Sequence, residues 1–318
     1  MTMSINRHLK IRRWITLKNF DTPTQLKQRG RVRRGRHSRN KKTLESLKFC
    51  RRKIPEYEVL DENALGAVEN QADWILEKIG VEFRDDPTAL ELFDDAGARV
   101  NRQRVQFEPG HIRQLCATAP SEFKLYGREP KNTVTLGGKN VVLMPGYGSP
   151  FVTDLEQGKR YATLEDFHNF IKLSHMTPWL HHSGGTVVEP TDVPVNKRHL
   201  DMTLAHLRFS TKPFMGAVTS SEQAEDSINM TRLVFGKDFM DENAVMQGNI
   251  NVNSPLVYDD TMSGALRVYA QANQCVCVSP AVFAGAMGPL STAAVVGQTL
   301  AEAMVGIALA QLVRPGCP

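Results

Sequence analysis

Acidic side chains are almost missing from the first 53 residues of this 318-residue chain, where two Asp/Glu stand against 18 Lys/Arg. The remainder holds 21 Lys/Arg against 32 Asp/Glu, so the formal net charge of +5 hides a mildly acidic body and a basic arm. The arm peaks at RGRVRRGRHSRNKK (29–42), with few aliphatic residues and no apolar period. Such a stretch has nothing to bury and is expected to be disordered or loosely helical. No base-stacking motif interleaves it, and a basic run without a folded reader specifies nothing by itself.

A secretory hydrophobic region is also lacking near the start. The cysteines are few, odd in number and scattered: Cys50, Cys116, Cys275, Cys277 and Cys317. That excludes a disulfide framework and points to a reduced, cytoplasmic protein. Nucleotide signatures are missing too: there is no G-x-G-x-x-G and no Walker lysine loop, and GYG at 146–148 is a lone G-x-G. There is no catalytic triad or metal motif. Cys275 and Cys277 alternate onto one strand face but make only half a zinc site, and His181 and His182 fall at a strand start. No metal is expected.

What is present is a rhythm of elements. Residues 54–130 read as a small α+β segment. A helix is predicted over 62–80, with Leu65, Val68, Ala72, Ile75 and Ile79 at helical spacing and Gly80 as its stop. A strand and a helix follow over 105–120, then a strand over 122–128. VTLGGKNVVLM (134–144) reads as a hairpin turning at Gly137–Gly138. From about residue 145 strands and helices alternate. Thr163 with Asp166 caps a helix, and HHSGGTVVEP (181–190) reads as a short strand. A helix starts near Val195, PFMGAV (213–218) is a strand, and Ser220 with Gln223 caps the next helix. AVMQGNINV (244–252) and CVCVSPAVFAGA (275–286) are strands around a helix capped by Asp260, and Ser291–Val313 is the last helix. That helix is apolar enough to resemble a membrane span, but Gln298, Glu302 and Gln311 interrupt it, which suits a helix packed on strands.

Apolar strands of this kind are buried on both faces of a parallel sheet. The expected fold is α/β: a partial (β/α)8 TIM-type barrel with about five units, preceded by a small α+β segment and a basic disordered arm. A doubly wound sheet is the competing architecture. The expected domains are an arm over 1–53, a small mixed segment over 54–130 and an incomplete barrel over 131–318. A barrel needs eight units, so the chain reads as a fragment.

Three strings carry a resemblance. EPTDVPVNKRHLDMTLAHLRFSTKPFMG (189–216), FAGAMGPLSTAAVVGQTLAEAMVGIALAQLVRPG (283–316) and GYGSPFVTDLEQGKRYATLEDFHNFIKL (146–173) resemble the trimethylamine:corrinoid methyltransferase family. The basic RRGR element upstream fits it too, and the resemblance covers roughly residues 30–318. It implies a barrel that moves a methyl group from a methylated amine, trimethylamine or a quaternary amine such as glycine betaine, to the Co(I) of a separate corrinoid protein. The expected partners are therefore a corrinoid protein and a small methylated amine. The cobalamin-type corrinoid travels on the partner, and none is expected on the chain itself. No membrane and no nucleic acid are expected, and a homo-oligomer is admitted. In that family the pyrrolysine of trimethylamine-specific members lies beyond the position of Pro318, so no catalytic residue is assigned and the chain alone is expected to be inactive. The competing function is a non-catalytic binding module whose basic arm docks nucleic acid or an acidic partner.

A quaternary ammonium prefers aromatic faces and a nearby carboxylate. Barrel sites lie at the C-terminal ends of strands. Those ends make Tyr147 and Phe151 the candidate cation-facing aromatics and Glu189 the candidate countercharge. Asn249, Asn251 and Asn253 follow one strand, and Asn251 and Asn253 are the candidate donors to a substrate carboxylate. Gly285 and Gly288 lack bulk and are candidates to face the corrinoid, with ordinary turn chemistry as the competing reading.

Overall fold

The computed structural model describes residues 50–318. The reading of the basic arm therefore lies, except for its last four residues, outside the described residues.

The described chain opens with β1 (Cys50–Arg51) and α1 (Glu62–Trp74). Asp61 caps α1 by accepting from the Ala64 N–H at 2.8 Å. The helix runs on as a π-helical turn, Ile75–Ile79, and stops at Gly80, whose φ of 74° suits a residue without Cβ. Next come β2 (Val81–Arg84), α2 (Pro87–Asp95), β3 (Arg99–Asn101), β4 (Arg104–Gln106) and α3 (His111–Cys116). β5 (Glu122–Leu125) pairs antiparallel with β6 (Val134–Gly137). The chain does turn at Gly137 and Gly138, but β7 (Asn140–Val141) then pairs with β1 instead of β6. The hairpin expected over 134–144 is thus a turn between two sheets. β8 (Phe151–Asp154) and β9 (Gly158–Tyr161) form a true hairpin.

α4 (Leu164–Met176) starts on the expected capping box: the Asp166 carboxylate accepts from the Thr163 N–H at 2.8 Å, and Thr163 Oγ1 accepts from the Asp166 N–H at 3.3 Å. Arg160 grips the same carboxylate at 2.6 and 2.8 Å and pulls its pKa down. α5 (Val195–Phe209), β10 (Phe214–Met215), α6 (Ser221–Phe235) and α7 (Lys237–Glu242) follow. The C-terminal part consists of β11 (Met246–Val252), β12 (Val257–Asp259), α8 (Asp260–Gln271), β13 (Cys275–Pro280) and α9 (Thr292–Val313). The cap of α8 is Asp259 and not Asp260, since Asp259 Oδ1 accepts from the Met262 N–H at 2.8 Å.

β10, β11 and β13 form a three-stranded parallel sheet in that order. β12 leaves it and joins β2 as the parallel edge of the sheet β12-β2-β4-β3, which ties the N-terminal segment to the C-terminal half. The strand expected over 181–190 is absent. Residues 142–145 and 181–184 run beside the parallel sheet through single backbone bonds: Leu143 O accepts from His181 N–H at 2.8 Å, Pro213 O from Ser183 N–H at 2.9 Å, and Gly184 O from Met215 N–H at 2.9 Å. Gly184 has a φ of 86°, which breaks a regular ladder at that point. The fold is mixed α/β with several small sheets, and among the described residues no closed barrel forms.

The main core lies where α8 and α9 cover one face of the parallel sheet, with Met246, Ile250 and Val252 against Leu266, Tyr269, Val305 and Ala308. At Gly248 a Cβ would meet the Tyr269 ring at 2.5 Å, so the ring needs that glycine. α9 is long and apolar enough, by length and composition, to cross a membrane. Its Gln298, Glu302 and Gln311 are all buried and all bonded inside the chain, as a core helix requires.

Candidate functional site

Strand alternation sends Gln247, Asn249 and Asn251 to the face of β11 opposite the helix-packed Met246, Ile250 and Val252. The register sets Cys275, Cys277 and Ser279 of β13 directly beside them. The two ends of this face differ. Cys275 packs with Leu125, Val134 and Ala244, so β5 and β6 close the N-terminal end with apolar side chains. Burial there holds the Cys275 thiol well above its ordinary pKa, followed by the influence of Cys277 and Cys317. It is a core thiol, neutral at physiological pH.

Higher on the same face the side chains become polar. Asn249 is the hub: its Oδ1 accepts from Ser279 Oγ at 2.8 Å, and its Nδ2 donates to Asn251 Oδ1 at 3.4 Å. The Tyr147 hydroxyl lies beside the Asn249 side chain, whose influence on the phenol opposes the rise that burial causes. Cys277 Sγ lies 3.9 Å from Ser279 Oγ. The Tyr147 ring is half-exposed while its hydroxyl turns inward, and burial pushes its pKa up to about 12, with Cys277 adding to the rise. The phenol is therefore a neutral hydrogen-bonding group at physiological pH. Gln247, one step deeper, is buried and its Oε1 has no hydrogen-bond partner.

Glycines place Tyr147 there. The Gly148 N–H donates to Thr186 O at 2.8 Å, and a Cβ at Gly148 would stand 1.8 Å from Val187 O. A Cβ at Gly185 would stand 3.1 Å from the Tyr147 hydroxyl oxygen and 2.9 Å from Met215 Cβ. Gly148 of the GYG string is thus a close-approach position against 184–188, whereas a Cβ at Gly146 would meet nothing within 4 Å. Gly148→Ala is expected to cost about 2 kcal/mol, in the range of forced overpacking, and to loosen Tyr147. Urea unfolding measures the cost, and an unchanged midpoint would show that the backbone contact is dispensable.

Behind Gly185 sits the buried ring of His206. Its Nε2 donates to Gly185 O at 3.1 Å and its Nδ1 pairs with Ser183 Oγ at 2.9 Å. His182, also buried, accepts from the Gly184 N–H on Nδ1 at 2.9 Å. Burial pushes the His206 pKa down to about 4 and the His182 pKa down to about 3, with His206 a second cause for His182. Unfolded histidines bind a proton below about 6.5. Between that pH and about 4 the unfolded state therefore holds more protons, and stability falls as the pH drops. Urea titrations at pH 7, 6 and 5 should show this loss, with a shallower slope in His206→Gln. Equal slopes in both proteins would contradict it.

Of the sequence-predicted residues, Tyr147 and Asn251 come together on this face. Phe151 lies on β8, its ring tilted against Tyr161 at a centroid distance of 4.8 Å and with Lys159 Nζ 4.5 Å from its ring centroid, so its face already carries a cation. Glu189 is ion-paired with Arg198. Asn253 donates its amide to Asp259. Gly285 and Gly288 form a tight turn after β13, where Gly285 N–H donates to Gly288 O at 2.9 Å. A Cβ at Gly285 would meet Leu290 at 2.8 Å and one at Gly288 would meet Val282 at 2.6 Å, so the loop's own packing accounts for both glycines. Sequence reading left out Ser279 and the hub role of Asn249. The period-2 signal of Asn249 and Asn251 beside Cys277 and Ser279 could have found them.

The chain matches the model of the trimethylamine methyltransferase family over residues 27–318. It is 41% identical over 266 residues to a glycine betaine methyltransferase of Desulfitobacterium hafniense (strain Y51), covering 83% of this chain and 55% of that protein. It is 25% identical over 259 residues to an L-carnitine:corrinoid methyltransferase of Eubacterium limosum, covering 77% and 51%. A trimethylamine methyltransferase of Desulfitobacterium hafniense (strain DSM 10664 / DCB-2) is 27% identical over 259 residues, covering 77% and 50%. The chain spans about half the length of the curated relatives it matches.

Proposed function

Because the chain belongs to the trimethylamine methyltransferase family, we propose that the protein it forms demethylates a betaine, a quaternary ammonium that also carries a carboxylate. The observation that carries this substrate class is the chemistry of one sheet face. Tyr147, Asn249, Asn251, Cys277 and Ser279 are all uncharged, and most of them can donate hydrogen bonds. A zwitterion suits such a face: its carboxylate takes amide and hydroxyl donors, and its trimethylammonium rests on the Tyr147 ring. Trimethylamine has no carboxylate and would leave the donors unused. The names of two relatives, a glycine betaine and a carnitine methyltransferase, support the same class.

The chemistry is an in-line displacement in which the N–CH3 bond breaks, the nitrogen keeps the electron pair, and the methyl carbon bonds to a nucleophile. The corrinoid named for one relative supplies that nucleophile from a partner protein. This chain's residues bind, orient and exclude water. We read 142–145, 181–184, β10, β11 and β13 as five successive positions of a (β/α)8 barrel, supported by their sequence order, the parallel pairing of β10, β11 and β13, and the single backbone bonds that join the first two segments to them. Residues 54–130 are then the separate mixed segment and 1–53 the basic arm. Activity is proposed for the whole protein, since the relatives are about twice as long as their match. Titration calorimetry is the test: glycine betaine should bind and tetramethylammonium should bind at least tenfold more weakly. Equal affinities would remove the carboxylate from the reading.

A further inference from the structure

Two loops rim the C-terminal end of the parallel sheet, residues 253–256 after β11 and residues 281–290 after β13. Neither reaches the other through any hydrogen bond the structure records. Both reach α9. Glu302, fully buried, accepts from Ser254 Oγ at 2.5 Å and from the Leu256 N–H at 2.9 Å. Its backbone carbonyl accepts from the Tyr258 hydroxyl at 2.8 Å. One turn earlier, Gln298 Nε2 donates to Glu302 Oε1 at 2.8 Å and to Met287 O at 3.0 Å. The Gln298 side chain also backs the second loop, since a Cβ at Gly288 would lie 3.1 Å from Gln298 Oε1.

Each end of this chain of bonds holds backbone that needs holding. Leu256 has a φ of 58°, a left-handed conformation costly for a residue with a Cβ, and its N–H is the group Glu302 takes. Gly285 has a φ of 78° and bonds across its own turn to Gly288 and Pro289. A buried carboxylate is stable only when its oxygens are satisfied. The three side-chain and backbone donors to Glu302, Ser254, Leu256 and Gln298, are all neutral; Ser254 and Leu256 belong to the first loop, and Gln298 of α9 is bonded to Met287 O of the second. Losing one donor therefore weakens the acceptor on which the others depend.

We propose that Glu302 and Gln298 are positioning residues that couple the two rim loops into one unit. Ordering either loop orders both. For the role of the rim this rests on the proposed methyl transfer, whose partner would meet both loops together. The coupling itself does not depend on turnover.

The test is amide hydrogen exchange on the full chain carrying Gln298→Leu. Gln298 bonds to the 281–290 loop at Met287 O, and no hydrogen bond is recorded between it and Leu256. Exchange at Gly285 and Met287 should quicken at least tenfold. Exchange at Leu256 should quicken at least fivefold, while the β11 amides of Ile250 and Val252 stay unchanged. Quickening confined to Gly285 and Met287 would show independent loops and overturn the coupling, as would no quickening at all. Uniform quickening that includes β11 would mean general loosening and would also overturn it. Glu302→Gln gives the conservative control: it keeps an acceptor for Leu256 and Gln298, and Ser254 can reverse its hydroxyl. Both loops should then stay within about threefold of the parent. Loss of protection in Glu302→Gln equal to that in Gln298→Leu would count against the proposal.

Discussion

Asn249→Ala is expected to lower kcat/KM for betaine demethylation about 100-fold, with the fold retained. Asn249 is bonded to Ser279 and Asn251 at once and stands beside the Tyr147 hydroxyl, so its removal loosens the side chains that define one surface. A hydrogen bond to a charged substrate group is worth about 1.5–3 kcal/mol, and about 2.7 kcal/mol corresponds to the 100-fold loss. Asn253→Ala is the comparison. That amide is spent on Asp259, so only a small kinetic change is expected. Steady-state kinetics on both variants decides the matter: similar losses would show that the strand end, and not the Asn249 hub, binds substrate.

Asp86→Ala is expected to destabilise the protein by about 3 kcal/mol or more, the cost of leaving a buried ion-pair partner uncompensated. Asp86 is almost fully buried, pairs with Arg267 of α8, accepts from Ser263, and caps α2 through the Ala89 N–H at 3.1 Å. It therefore holds the N-terminal segment to the C-terminal half from a position in the loop between β2 and α2. Urea unfolding of Asp86→Ala, Arg267→Ala and the double variant measures the coupling. Strictly additive losses would mean that the two side chains act separately.

Local chemistry was legible in the sequence. The Thr163–Asp166 capping box, the Gly80 stop and the strands at 246–252 and 275–280 follow from short-range rules, and the structure follows them. Pairing was not legible. Nothing near Val257 announces that β12 leaves its own sheet to join β2, and nothing near Asn140 announces β1 as its partner. The expected strand over 181–190 fails for a local reason: Gly184 takes a left-handed φ, and its neighbours give their hydrogen bonds to three different segments. The candidate site was half legible. Tyr147 and Asn251 were readable from strand ends, but the partners of Glu189 and Phe151, Arg198 and Lys159, lie nine and eight residues away on elements whose packing no period reveals.

The most direct measurement follows cob(I)alamin absorbance, anaerobically, with the whole protein and either glycine betaine or trimethylamine. Loss of the Co(I) band that depends on glycine betaine, and is at least tenfold slower with trimethylamine, is the expected result. Loss with trimethylamine alone, or no protein-dependent loss with either amine, would contradict a betaine methyltransferase.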